Sequence, residues 1–354
     1  MTTAQATPSV TVGGRRVECA PDQSLLDACL RAGVWMPNSC NQGTCGTCKL
    51  RVLEGEVDHR GTPSDTLPED ERQAGMALAC QASPRGDVVV SSPGADGGAA
   101  RSTHALRDLV ATVLAVEDVA RDTRRLLLGL DEPLAFSAGQ YVELAVPGSS
   151  ARRQYSLANT PQEDEVLELH VRRVPGGIAS DAWAFGSVQV GDRVELTGPL
   201  GDFHLPDEAD DQGEPMVCIA GGTGLAPILG IVRTALRRRP DREIVLYHGV
   251  RGPDDLYDVD RLAELAANHP GLRFVPVLSH EPVPPGSACR AGFPTDTFVE
   301  DVASARGWSG WLCGPPPMVE AGVKAFKRRR MAPRQIHLEK FTPADALGSE
   351  PPEG

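Results

Sequence analysis

Cys40-Asn41-Gln42-Gly43-Thr44-Cys45-Gly46-Thr47-Cys48 is the stretch that decides the fold of the first part of this chain, and a fourth cysteine, Cys80, follows it. A Cys-x4-Cys-x2-Cys spacing with one distant cysteine is typical of a plant-type [2Fe–2S] cluster held by four thiolates. Gly43 and Gly46 permit the bent backbone that turns three sulfurs inward. We therefore predict that the metal ligands are Cys40, Cys45, Cys48 and Cys80.

Other cysteine sites fit this spacing less well. A zinc ribbon needs a second Cys-x-x-Cys pair, and a Rieske centre needs Cys-x-His pairs, which the chain lacks. A disulfide framework is typical of small secreted chains. The five remaining cysteines are therefore predicted to be reduced thiols of a cytoplasmic protein, and residues 1–8 show no basic and apolar secretory signal.

The composition is that of a globular protein with an acidic balance. The 354 residues are 41% hydrophobic and carry 48 acidic against 35 basic side chains, for a net charge of −13. This length is enough for two or three domains, each with its own core. The acidic balance argues against nucleic acid or an anionic membrane as a partner. No apolar run approaches the roughly 20 residues of a membrane helix, so no membrane span is predicted.

Residues 8–95 are predicted to form a small α+β domain, a β-grasp ferredoxin. Two alternating stretches flank Gly13-Gly14, which predicts a β-hairpin. Ser24 is predicted to cap a helix that ends near Gly33. Cys19 and Cys29 are predicted to be core thiols. Residues 96–105 are poor in apolar side chains and are predicted to be a flexible linker.

Residues 106–212 are predicted to form an antiparallel β-barrel, because short strands alternate with Gly and Pro. Arg153, Tyr155 and Ser156 place a cation, a flat aromatic ring and a hydroxyl within four residues, which suits a flavin: the cation for its pyrophosphate, the ring and hydroxyl for its isoalloxazine. Gly176-Gly177 is predicted to open a short helix whose N–H groups face phosphate. The alternative is an ordinary barrel strand with a salt bridge.

Residues 213–343 are predicted to form a doubly wound α/β domain. The apolar run 216–220 is typical of a strand buried on both faces, and Gly221-Gly222-Thr223-Gly224 follows it. Glycine-rich turns of such a sheet lie at the ligand-binding edge. The later elements are predicted as a helix ending at 237–239, strand 243–248, helix 255–267, strand 273–278 and a last strand at 310–313. Residues 344–354 have the composition of a disordered tail.

Taken together, four motifs in order resemble one family. They are Cys-x4-Cys-x2-Cys, Arg153-Gln154-Tyr155-Ser156, Gly221-Gly222-Thr223-Gly224 and Cys313-Gly314-Pro315-Pro316-Pro317-Met318. This order resembles the NADH-dependent reductases of bacterial oxygenases. Residues 33–37 and 53–59 are similar to phenol hydroxylase reductases. The segments 34–50, 203–206, 307–331 and 339–343 are more similar to the reductase subunits of aromatic O-demethylase systems built on a cytochrome P-450.

The resemblance implies site residues. Those expected at the hydride-transfer site are Ser156, Cys313 and Phe341. Those expected to bind FAD are Arg153, Gln154, Tyr155, Ser156, His170, Val171, Arg172, Gly177, Ile178, Ala179 and Ser180. Those expected to bind NADH are Gly222, Thr223, Gly224, Cys313, Gly314, Pro315, Met318 and Phe341.

The resemblance also implies an electron path. Electrons are expected to pass from NADH through FAD and the [2Fe–2S] cluster to a cytochrome P-450 partner, in a heterodimer, that O-demethylates lignin-derived, guaiacol-like compounds. The alternatives are a diiron phenol hydroxylase or ring-hydroxylating dioxygenase as acceptor, or a redox-sensing regulatory module. NADH is predicted over NADPH because Asp254 and Asp255 follow the second strand of the α/β domain, although Arg251 beside them favours a phosphate.

Overall fold

The computed structural model describes residues 7–93 and 104–342, which divide into two compact units. Unit 1 comprises the described residues up to 108 and residues 197–202, and unit 2 comprises 109–196 and 203–342. The predicted linker falls mostly, and the predicted tail wholly, outside the described residues. Among those residues, no helix is both long enough and apolar enough to cross a bilayer.

Unit 1 is built on a five-stranded sheet. Its elements are β1 (Ser9–Val12), β2 (Arg15–Glu18), α1 (Leu25–Arg31), β3 (Lys49–Glu54), β4 (Val57–Asp58), α2 (Glu69–Gln73), β5 (Met76–Leu78), β6 (Ser83–Pro84) and β7 (Val88–Ser91). The strand order is β2-β1-β7-β3-β5, with β1 antiparallel to β2 and parallel to β7. Both residues of the predicted hairpin turn have positive φ, as this turn requires. The predicted α+β fold is confirmed.

The first helix of unit 1, α1, begins and ends where its sequence predicts. The Ser24 hydroxyl accepts a hydrogen bond of 3.1 Å from the Asp27 N–H, which satisfies an otherwise unpaired group of the first turn. Gly33 follows α1 with a φ of 66°. Cys19 and Cys29 are wholly buried, so their prediction as core thiols is confirmed. Burial raises the pKa of Cys29 to about 12.

A six-stranded β-barrel makes up the first half of unit 2, except that residues 107–108 and 197–200, in two of its strands, are assigned to unit 1. Its strands are β8 (Arg107–Ala120), β9 (Thr123–Leu130), β10 (Tyr141–Ala145), β11 (Arg152–Ser156), β12 (Val166–Arg172) and β13 (Arg193–Leu200), with a π-helix at Ile178–Ser187. The order is β11-β10-β13-β8-β9-β12. An antiparallel bridge between Leu157 and Leu169 joins the two edge strands and closes the barrel. Leucine, valine and Trp183 fill its interior.

The second half of unit 2 is an all-parallel sheet with helices. Its elements are β14 (Met216–Gly221), α3 (Leu225–Arg238), β15 (Ile244–Val250), α4 (Val259–Asn268), β16 (Leu272–Leu278), β17 (Arg290–Ala291), α5 (Pro294–Asp301), β18 (Ser309–Gly314), α6 (Pro316–Arg328) and β19 (Ile336–Lys340). The order β17-β16-β15-β14-β18-β19 reverses at β14. Such a reversal opens a crevice at the carboxyl ends of the strands.

Two details of this half differ from the predictions. The strand at 310–313 is not the last, because β19 adds itself parallel to β18. Its sequence, Ile336-His337-Leu338-Glu339-Lys340, is half polar and lacks the apolar run of a central strand. The helix predicted from residue 255 begins at Val259, since Asp258 has a φ of 56° and interrupts the helical path.

Candidate functional site: a four-cysteine loop and a flavin–nicotinamide crevice

The four predicted metal ligands come together in unit 1. The sulfurs of Cys48 and Cys80 lie 3.1 Å apart. The Cys40 sulfur accepts hydrogen bonds from the Cys45 thiol and from backbone N–H groups, which hold the pKa of Cys40 below its usual value. The N–H groups of Gln42 and Thr47 lie 3.5 Å and 3.4 Å from the sulfurs of Cys40 and Cys45. Four converging sulfurs with N–H donors fit a [2Fe–2S] cluster, whose sulfur is stabilised by such donors.

The cluster loop holds its shape through backbone that other residues resist. Gly43 and Gly46 have φ values of 81° and 74°. A Cβ at Gly43 would lie 2.9 Å from Cγ of Gln81, the residue after the fourth ligand. The loop is therefore bent, and packed against the segment that carries Cys80.

The segment before the loop is clamped within unit 1. The Asn38 N–H donates to the Asp202 carboxylate at 2.9 Å, and the Gly201 N–H donates to the Asn38 side chain at 2.7 Å. The Trp35 indole also donates to Asp202, at 3.2 Å. These bonds fix the chain two residues ahead of Cys40.

The predicted flavin residues lie on β11 of the barrel. Among the described residues, no carboxylate pairs with the guanidinium of Arg153, which is half-buried and donates to the Arg152 carbonyl at 2.9 Å. A cation in that state suits a pyrophosphate. Burial raises the pKa of Tyr155 to about 12. Ser156 is buried and points to a residue that the sequence analysis missed.

That residue is Glu339, on the edge strand β19. Its Oε2 accepts from the Ser156 hydroxyl at 3.4 Å and lies 3.9 Å from the Cys313 sulfur. The parallel pairing of β18 with β19 sets Glu339 opposite Cys313. Burial raises the pKa of Glu339 to about 8, so its carboxyl keeps its proton at neutral pH. Its only signal in the sequence is one acidic residue two positions before Phe341.

The two glycine-rich turns meet at the switch point of the sheet. A Cβ at Gly224 would collide with the Cys313 carbonyl. A Cβ at Gly221 would lie 2.7 Å from Sδ of Met318 and 2.9 Å from Cδ of Pro315. The Phe341 N–H donates to the Gly314 carbonyl at 2.9 Å, so the predicted aromatic residue lies at the same edge. The predicted nucleotide residues and Ser156 thus lie together in unit 2 at the switch point of the sheet, where an α/β fold opens its ligand-binding crevice.

Three other predicted flavin residues, on β12, differ in how much of each side chain a ligand could reach. The Val171 side chain is wholly buried in the barrel core, so only its backbone remains for a ligand. His170 is also buried, and both its ring nitrogens have protein partners. Arg172 is exposed, and its Nη1 lies 3.6 Å from where a Cβ of Gly222 would be.

The helix start at 177–180 has little free space. A Cβ at Gly177 would lie 2.6 Å from the Ser180 hydroxyl. That hydroxyl accepts from the Val174 N–H at 3.1 Å and so holds the turn. Ala179 is buried, while Ile178 is exposed. A ligand here would meet the backbone of the turn and the exposed Ile178 side chain.

The two aspartates predicted to choose NADH differ in their partners. Asp255 accepts a bidentate ion pair from Arg121, at 3.0 Å and 3.1 Å, and also accepts from the Gly252 N–H at 3.1 Å. Arg121 also pairs with Glu281 at 2.9 Å. Asp254 is exposed, and only its backbone carbonyl bonds to Arg121. Of the two aspartates, Asp254 is therefore the one whose carboxylate has no hydrogen-bond partner among the described residues.

Comparisons with known protein families find three cofactor-binding domains in the chain. Residues 10–85 match the 2Fe-2S iron-sulfur cluster binding domain, residues 110–205 the oxidoreductase FAD-binding domain, and residues 218–324 the oxidoreductase NAD-binding domain. These matches confirm the predicted fold class and the three cofactors.

Relatives match nearly the whole length. The chain is 72% identical to an aromatic O-demethylase reductase subunit of Amycolatopsis sp., over 95% of this chain and 99% of that protein. It is 38% identical to the phenol 2-monooxygenase reductase component of a Pseudomonas species, over 95% and 94% of the two chains. The crystal structure of an Amycolatopsis cytochrome P450 reductase superposes with a TM-score of 0.92 at 71% identity, covering 96% of this chain and all of that one. The chain therefore belongs to the family of NAD-, FAD- and [2Fe–2S]-dependent reductase components of bacterial oxygenases.

Proposed function

We propose that this chain is the reductase subunit of an aromatic O-demethylase. It takes electrons from NADH and delivers them, through FAD and the [2Fe–2S] cluster, to a cytochrome P-450 that removes methyl groups from small methoxyaromatics. The observation that carries the proposal is the 72% identity, over 95% of this chain, to the Amycolatopsis reductase subunit of that name. Identity at that level spans all three domains.

The crevice of unit 2 suits the first step, hydride transfer. Bound FAD accepts two electrons together and releases them singly, which no side chain can do. In this proposal Arg153 neutralises the FAD pyrophosphate, and Tyr155 and Ser156 follow it on the same strand. Glu339 carries a proton at neutral pH, and its Oε2 accepts from the Ser156 hydroxyl and lies near the Cys313 sulfur. The protein therefore offers neutral hydrogen-bonding groups rather than a charge where the nicotinamide enters, beside Phe341.

The four-cysteine loop of unit 1 suits the second step. A plant-type cluster accepts one electron at a time at roughly −400 mV, low enough to reduce a haem iron. The N–H groups of Gln42 and Thr47 stabilise negative charge on the sulfurs of Cys40 and Cys45. Cys45 is exposed, which gives a partner protein access to this end of the path.

Reconstitution tests the proposal. The pure reductase is mixed with a candidate cytochrome P-450, NADH and guaiacol, and formaldehyde and catechol are measured. Each turnover consumes one NADH and one O₂ and gives one formaldehyde, one catechol and one water. Coupled product formation is expected, and omission of the reductase is the control. Fast cytochrome c reduction with no reduction of any such P-450 would contradict the choice of partner.

A second acceptor is supported by one observation, the 38% identity to a phenol 2-monooxygenase reductase component. Productive turnover with a diiron hydroxylase in the same assay would favour it. The third possibility, a regulatory redox module, requires slow turnover. Rapid NADH-dependent ferricyanide reduction would exclude a module that passes electrons nowhere.

A further inference from the structure

The carbonyl of Gly222 is held by side chains that none of the motifs includes. Gly222 opens the nucleotide turn with a φ of 55°, and the Leu225 N–H donates to its oxygen as α3 begins. The same oxygen lies 3.1 Å from Nε2 of His248 and 3.4 Å from the Tyr257 hydroxyl. These donors hold the Gly222 carbonyl toward the protein interior. The backbone N–H groups of the turn then point away from the interior, toward the crevice.

Tyr257 also connects the turn to the barrel. Its hydroxyl lies 3.1 Å from Nδ1 of His170 on β12, and the two rings meet edge to face at 5.1 Å. Nε2 of His170 lies 3.0 Å from the Glu168 carboxylate. We name His170, Tyr257 and His248 the turn brace. It runs from the flavin-binding barrel to the nucleotide turn, and all three side chains are buried.

The outer end of the brace is anchored by charge. Arg261 donates twice to Glu168, at 2.7 Å and 3.1 Å, and Arg125 lies 3.2 Å from the same carboxylate. Arg125 and Arg261 also pair with Asp258. Two guanidiniums therefore balance two carboxylates, so Glu168, His170 and Asp258 form a salt-bridge cluster rather than a cation site.

Counting protons shows that Tyr257 has two competing acceptors. An ionised carboxylate accepts only, so Nε2 of His170 must carry a proton toward Glu168. The single hydroxyl proton of Tyr257 can point to Nδ1 of His170, at 3.1 Å, or to the Gly222 oxygen, at 3.4 Å. His248 is neutral, because burial lowers its pKa to about 4, and its Nε2–H remains the constant donor to Gly222.

We propose that His248 and Tyr257 are positioning residues for the nicotinamide dinucleotide. They hold the Gly222 carbonyl away from the crevice so that the amides of the turn face the pyrophosphate, and His170 ties that turn to β12. The inference rests on the proposed role of the turn in binding NADH. Neither residue touches the nucleotide, so each acts through the backbone of Gly222.

The test is Tyr257→Phe in the full-length holoprotein, with NADH and ferricyanide as substrates. Loss of one hydroxyl should raise KM for NADH about 3- to 10-fold, the effect of one hydrogen bond, while kcat changes less than about 2-fold. The matched control is Tyr247→Phe, because that buried hydroxyl bonds Asp301 and Arg273 instead. Its KM should stay at the wild-type value, and flavin and cluster absorbance should be unchanged in both variants.

Two substitutions of His248, one that keeps a hydrogen-bond donor and one that removes it, test its role. His248→Gln keeps a donor near the position of Nε2 and should hold KM within about 2-fold, whereas His248→Leu should raise it at least as much as Tyr257→Phe. Equal KM values for Tyr257→Phe and Tyr247→Phe, or for the two His248 variants, would overturn the inference. A wild-type protein that reduces ferricyanide with NADH but never reduces a P-450 would refute the proposed partner. That result would not affect the inference about the turn brace, which depends only on NADH binding.

Discussion

The cluster loop of unit 1 and the crevice of unit 2 are built in opposite ways. Three of the four cluster cysteines lie within nine residues, and the loop needs only local bending to bring them together. The crevice gathers Ser156, Cys313 and Glu339 from three strands, up to 183 residues apart in sequence. A site encoded locally can be recognised from spacing, whereas one assembled by sheet pairing cannot.

The largest effect is expected from a substitution that removes the cluster of unit 1 and leaves the crevice of unit 2 intact. Cys80→Ser removes a thiolate ligand, so we expect loss of the iron–sulfur absorbance and a decrease of at least about 100-fold in NADH-dependent cytochrome c reduction. NADH should still bleach the flavin, because FAD is bound by unit 2. Cys289→Ser, which changes a half-buried cysteine outside the cluster, is the control. Undiminished cytochrome c reduction in Cys80→Ser would show that electrons leave from FAD.

The next prediction concerns the proton on Glu339. Unfolded protein releases it near pH 4.5, whereas the folded protein keeps it up to about pH 8. The free energy of unfolding should therefore fall as pH rises through that window, by at most about 1.4 kcal/mol per pH unit. Glu339→Gln removes this contribution and should flatten the profile by about 2 kcal/mol between pH 6 and pH 7.5.

Urea unfolding of the holoprotein at several pH values measures that difference. Glu320→Gln is the control, because Glu320 is exposed and its pKa is lowered by Lys340 rather than raised. Parallel profiles for the wild type and Glu339→Gln would mean that Glu339 is ionised at neutral pH. The crevice would then hold a charge, contrary to the role proposed for it.

The smallest expected effect separates the two aspartates of the ribose loop. Asp254→Ala should lower the preference for NADH over NADPH, measured as the ratio of kcat/KM values, by about 10-fold, the scale of one charge-assisted hydrogen bond. Asp255→Ala should change the ratio less than about 3-fold, because its carboxylate already pairs with Arg121. A native preference for NADPH would contradict the prediction, and equal ratios in both variants would show that other residues decide it.

Local signals in the sequence predicted local structure well. Ser24 caps α1 as its type and position indicate, and the buried run at 216–220 forms the central strand β14. The strand β19 was missed because an edge strand is buried on fewer sides and lacks a continuous apolar run. Its partner β18 supplies the register that the sequence of β19 does not show.

The prediction for Asp255 shows the same limit within the candidate site. A carboxylate after the second strand of an α/β domain indicates a ribose ligand. Asp255 instead pairs with Arg121, which lies 134 residues earlier in the barrel half of unit 2. No spacing rule joins those positions, because packing of the two halves brings them together.

By itself, the sequence determined the order of the three domains and the glycine turns and predicted the four cluster ligands, since each depends on residue type and short-range spacing. Only the tertiary structure placed Glu339 between Ser156 and Cys313, and set the turn brace behind Gly222. The physical reason is that desolvation and neighbouring groups on other strands together set the protonation state of a buried carboxyl or histidine. Those neighbouring groups are also its hydrogen-bond partners. Those neighbours are chosen by sheet order and register, which a single segment does not encode.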